Sequence, residues 1–166
     1  MPRWEPEHMV EQSLLERLID LEPKNPNEQP ISRAQSVRQL KASLRRDLEW
    51  LLNTRQTPEA AGSEYQELQH SLFNYGLPDL TSLNWESDRD RNDLARMIEE
   101  LLATFEPRLS GVHVEPIGKV SATQSVLRFQ IEGLLYMDPA PERISFDTVL
   151  QLSSGEYQVK GEPSAG

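Results

Sequence analysis

Histidines and carboxylates are where chemistry would have to start in this chain. It has no cysteine, which removes disulfides, thiolate metal sites and thiol nucleophiles together. His8, His70 and His113 fall in a tail, a short helix and a strand, and no two have the spacing of a metal pair. None stands in a pattern that suggests a Ser-His-Asp set. The 8 glycines are scattered, with no strand–turn–helix frame carrying Lys and Ser/Thr to cradle a phosphate. Carboxylates are abundant, so a glycosidase-type pair is the enzymatic option. It needs one acid with a raised pKa in an apolar cleft and a second about 5–9 Å away across the substrate. Glu106 and Glu115 are the candidates, with Asp79 a third. Among 27 Asp and Glu, solvated or ion-paired carboxylates are the simpler reading.

The most informative run is Phe105-Glu106-Pro107-Arg108-Leu109. Pro107 pushes Glu106 out of the helical region. In an extended segment Glu106 and Arg108 share a side, while Phe105 and Leu109 can anchor the break in the core. An acid beside a cation stays ionised and makes a poor proton donor. The same pair suits docking, because Arg offers a planar fork to a partner's carboxylate or carbonyls. The expectation is that both charges face outward. Truncating Arg108 should then leave the fold nearly intact, since an exposed ion pair contributes only ~0–1 kcal/mol.

Around this run the periodicity predicts helices first and strands afterwards. Apolar residues at Leu14, Leu15, Leu18, Ile19 and Leu21 mark a helix over 10–21. Pro23, Pro26 and Pro30 follow as an extended linker, so 1–30 reads as an arm helix and proline-rich linker. That helix is short enough to be marginal alone in water. Ser32 with Gln35 is a capping box opening a helix to about Asn53, carried by Val37, Leu40, Leu44, Leu48 and Leu51. A loop over 56–63, a short helix over 64–73 and a turn over 75–79 come next. Another helix begins at Ser87 with Leu94, Met97, Ile98, Leu101, Leu102 and Phe105 as its buried stripe. After Pro107 the period becomes two, in strands from Val112, around Leu127–Ile131 and along Ile144–Leu152. Ser153-Ser154-Gly155 turns tightly into a last strand over 157–160. The fold class is α+β, N-terminal helices on a small, mainly antiparallel sheet, with the body over 31–160 and a loose tail over 161–166.

Lys and Arg number 17 against 27 acids, a formal charge of −10. Nucleic-acid binding draws on phosphate neutralisation and a basic face, so the field opposes it, as it opposes an anionic membrane. No signal peptide and no run of about 20 apolar residues is present, which points to a cytoplasmic protein without membrane insertion.

Three segments occur in the order seen in TssE, the baseplate subunit of type VI secretion systems: Leu51-Leu52-Asn53-Thr54-Arg55, Asn74-Tyr75-Gly76-Leu77-Pro78-Asp79-Leu80 and Phe105-Glu106-Pro107-Arg108-Leu109. Ser13-Leu14-Leu15-Glu16-Arg17-Leu18 also resembles the start of that family, which is similar to phage baseplate wedge proteins and shares with them a lysozyme-like designation. The resemblance spans roughly 13–157. It implies a structural protein without cofactor or metal, joining the wedge components TssF and TssG, with TssK nearby, to the contractile sheath of TssB and TssC. It implies that Glu106, Pro107, Arg108 and Leu109 hold the wedge core together and that sheath assembly starts on the sheet. A baseplate docked at the inner face of the cytoplasmic membrane is the implied location. The alternative is a peptidoglycan-cleaving lysozyme-like hydrolase, for which the resemblance carries over no catalytic pair.

Overall fold

The computed structural model describes residue 18 and residues 32–58, 65–118 and 125–161. Leu18 is helical and exposed. The rest of the expected arm helix, its linker and nearly all of the tail lie outside the described residues.

Helix α1 runs Arg33–Asn53 and starts where the capping box requires. The Ser32 amide donates to Gln35 Oε1 at 3.0 Å, and the Gln35 amide donates to Ser32 Oγ, so two otherwise orphaned N–H groups satisfy each other's residues. Leu40, Leu44, Leu48, Leu51 and Leu52 form its buried stripe. The short helix falls in two pieces: α2, Gln66–Gln69, and a 3-10 turn, Leu72–Asn74. Ser71 explains the break, because it leaves the helical region and its hydroxyl accepts from the Phe73 amide. Helix α3, Asp88–Phe105, is capped by Ser87, with Asp88 and Asp90 in its first turn where the helix dipole favours acids. Buried Arg91 is neutralised by Asp88 and donates to the Trp85 carbonyl at 2.9 Å.

Four strands follow: β1 Leu109–Ile117, β2 Val126–Leu135, β3 Glu142–Gln151 and β4 Glu156–Lys160. They form one antiparallel meander in the order β1-β2-β3-β4. Leu127, Phe129, Ile131 and Leu135 of β2 share the buried face with Ile144, Phe146 and Leu150 of β3. Helix α3 packs on β1 and α1 on β4, so both main helices cover that one face. Strand β1 starts three residues before Val112, the position the alternation marks. A bulge between Ser110 and His113, with Gly111 at φ +58°, breaks the period there.

Among the described residues two hydroxyls in this core, Thr148 Oγ1 and Tyr157 Oη, have no hydrogen-bond partner. Burial pushes the Tyr157 phenol above its ordinary 10.0. Its proton is therefore held in the folded chain after the unfolded chain has lost it. Its effect on stability is independent of pH below about pH 10, and stability falls as pH rises beyond that. Tyr157→Phe should flatten the alkaline limb of a stability–pH curve and add about 1 kcal/mol at neutral pH, since an orphaned polar group costs about 1–3 kcal/mol. Urea midpoints from pH 7 to pH 11 check both.

Candidate functional site

The break after α3 builds the site. Pro107 follows Glu106, which leaves the helix at φ −122°, ψ 77° while its amide still donates to the Leu102 carbonyl. Its side chain turns inward and is only 7 % exposed. Arg108 Nε donates to Glu106 Oε1 and Nη2 to Oε2, both at 2.6 Å, a fork-to-fork pair. Nη2 also meets Asp47 Oδ2 at 2.7 Å, and Nη1 reaches Ser43 Oγ at 3.3 Å. Hydrogen bonding to Glu106, with the charges of Glu106 and Asp47 added, raises the Arg108 pKa above its already high value despite burial.

The outward-facing docking pair is therefore corrected. Glu106 and Arg108 do share a side, as alternation requires, but that side faces α1 rather than solvent. The Arg fork is taken up within its own chain. Pro107 stays exposed, and Leu109 enters the core at the start of β1.

Helix α1 supplies what the sequence reading missed. Ser43 and Asp47 are one turn apart, so both reach Arg108 from one helix face. Their signal was a pair of short polar residues flanking the Leu40-Leu44-Leu48 stripe. Asp47 Oδ1 also accepts from Arg46, whose guanidinium lies 5.1 Å over the Trp50 ring. Trp50 is 56 % exposed. Tyr75 borders the network: burial raises its pKa, and Asp47 and Glu106 raise it further. Its ring meets Phe105 edge-on at 5.3 Å.

The segments that carry the family resemblance thus come together. Leu77 exchanges backbone hydrogen bonds with the residues that follow α1: its amide donates to the Thr54 carbonyl, and its carbonyl accepts from the Gln56 amide, each at 2.9 Å. Gly76 permits this approach at φ +103°, since a Cβ there would lie 2.4 Å from the Thr54 oxygen. Tyr75 then links this loop to Phe105.

The other candidates stay apart from the network. Glu115 is exposed on β1 opposite Gln130. Asp79 is exposed, and hydrogen bonds from the Thr81 amide and hydroxyl hold its carboxyl below the ordinary range. His113 Nδ1 lies 2.8 Å from Glu99, His70 is exposed after α2, and His8 is outside the described residues. Among the described residues no three His, Asp or Glu cluster as metal ligands, and no helix is long and apolar enough to cross a membrane.

Both sheet edges are guarded, unequally. On β1 the Val114 amide donates to Glu99 at 2.7 Å, and Pro116 has no N–H to offer. On β4 the Asn53 carboxamide imitates a strand: Oδ1 accepts from the Tyr157 amide at 2.8 Å, and Nδ2 donates to its carbonyl at 2.9 Å. The next residue of β4 that antiparallel alternation turns outward is Val159.

No curated protein matches the chain in sequence. Residues 38–140 match the family described as baseplate wedge protein gp25, which includes TssE. The match takes in most of α1, all of α3, β1 and β2, and the whole Glu106–Arg108–Asp47 network. By this match over more than half of its length, the chain belongs to the baseplate wedge protein gp25 family.

Proposed function

We propose that this chain is a structural, non-enzymatic baseplate subunit of a type VI secretion system. In that role it joins TssF and TssG, with TssK nearby, to the TssB/TssC sheath and helps start sheath assembly. Its place is in the cytoplasm, in a baseplate at the inner face of the cytoplasmic membrane. The observation that carries the non-enzymatic part is the position of Arg108. A glycosidase leaves room for sugar between its two carboxylates; here the Arg108 guanidinium bridges Glu106 and Asp47 and fills that space.

Within this reading Glu106, Pro107, Arg108 and Leu109 serve the wedge by fixing shape. The charge network locks the end of α3 to α1, and the partner meets what the lock leaves outside: Pro107, Arg46 and Trp50. Trp and Arg carry much of the energy of protein interfaces. Trp50→Ala should weaken co-purification with TssF and TssG at least ten-fold and shift the melting temperature by less than about 2 °C, as expected for an exposed side chain.

Purified protein should not clear a peptidoglycan suspension. Clearing by the wild type that Glu106→Gln or Asp47→Asn abolishes would replace the adaptor with a hydrolase.

A further inference from the structure

From Gln56 to Ser87 the chain has no Lys or Arg, yet carries Glu59, Glu64, Glu67, Asp79 and Glu86. With 17 cations in 166 residues, about three would fall in such a stretch by chance. The same stretch shows large apolar side chains to solvent. Tyr65 is 58 % exposed, Leu68 37 % and Leu72 84 %. Tyr65 and Leu68 are three apart and share one side of a helical turn, and Leu72 opens the next turn. Beside them lies an open groove of about 270 Å³ between this segment and α3. Gln69 and Asn74, hydrogen-bonded to each other at 2.9 Å, stand at its rim. Met97, Leu101 and Phe105 contribute apolar lining, and among the described residues Glu100 is the only charged one that lines it.

We propose that this face docks an amphipathic helix of a different protein, with apolar residues toward Tyr65, Leu68, Leu72 and the groove and Lys or Arg along its flanks. Helix-in-groove recognition needs an apolar seat flanked by opposite charge, and the charges described at this face, Glu67 on α2 and Glu100 in the groove lining, are acidic. The chain's own N-terminal residues suit it poorly, because 1–31 carry seven acids against Arg3, Arg17 and Lys24. A second copy suits it no better, since a two-fold contact would set Glu67 and Glu100 against their own kind. Residues 59–64 hold nothing apolar larger than Ala. Glu67 and Glu100 likewise repel nucleic acid.

The test uses the full chain and a synthetic helix of about 18 residues, long enough to be helical, with Leu on one face and Lys on its flanks. A twin carries Glu in place of Lys. Fluorescence anisotropy should show the Lys helix binding and the Glu twin not. Leu68→Ser with Leu72→Ser should weaken binding at least ten-fold without shifting the melting temperature, and Glu67→Lys with Glu100→Lys should do the same. Equal binding of both helices, or variants that bind like the wild type, would overturn the proposal by showing general attraction to a chain of net charge −10. Tighter binding after Leu14→Ser with Leu18→Ser would make the arm the occupant, and dimers in sedimentation lost with Leu72→Ser would make it a second copy; either result overturns the proposal. The measurement involves no baseplate protein, so its outcome is separate from the proposed assembly role.

Discussion

Arg108→Ala should destabilise the isolated chain by about 3–5 kcal/mol, the usual consequence of removing one member of a buried ion pair. Glu106 is 5 % exposed, and Arg108 supplies the donors to both of its oxygens. Truncation leaves the carboxylate buried beside Asp47 with no cation between them. Arg46 does not replace the lost guanidinium at Glu106, since it is committed to Asp47 Oδ1 and the Trp50 face. Arg108→Lys should recover only part of the loss, because an ammonium cannot engage both Glu106 oxygens and Asp47 in one plane. The double variant Glu106→Leu with Arg108→Met should be far less damaged than Arg108→Ala, since apolar groups of similar size leave no buried charge at that position. Urea midpoints of the wild type, both single variants and the double variant measure this coupling. An Arg108→Ala protein as stable as the wild type would mean that the pair behaves as exposed charge.

Gly76→Ala carries the second large effect. At φ +103° an L-residue is strained by about 1–3 kcal/mol. The added Cβ would sit 2.4 Å from the Thr54 carbonyl oxygen, which is backbone and cannot swing aside. Relief requires the loop to retreat, which breaks the Leu77–Thr54 and Gln56–Leu77 hydrogen bonds, each contributing about 0.5–1.5 kcal/mol. Together the loss should be roughly 2–6 kcal/mol. The retreat also draws Tyr75 from Phe105, so near-ultraviolet circular dichroism should change with the urea midpoint. An unchanged midpoint would show that the loop does not need its close approach to α1.

Much of the fold was legible because local signals agreed with packing. Ser32 with Gln35, Ser87, and Pro107 each mark a helix end that the structure places within a residue. Alternation along 127–131 and 144–152 predicted both faces of the central strands. The failures share one physical cause, which is that the partner is distant in sequence. Nothing near Arg108 announces Asp47, 61 residues earlier, as its second acceptor. Nothing near β4 announces that Asn53, 104 residues before Tyr157, closes part of its edge. The direction of the Glu106–Arg108 pair turned on the same point: alternation says which residues share a side, and only the position of α1 says what that side faces. At Leu109 the miss was local, because Gly111 and the bulge hide the first turn of the strand's period.

The central proposal is that this wedge-family chain works by assembly, and size-exclusion chromatography of the chain co-expressed with TssF and TssG of the same system tests it most directly. The account predicts one peak containing all three, with the Trp50→Ala chain, still folded, depleted from it. A folded wild-type chain that elutes alone while TssF and TssG elute together would contradict it.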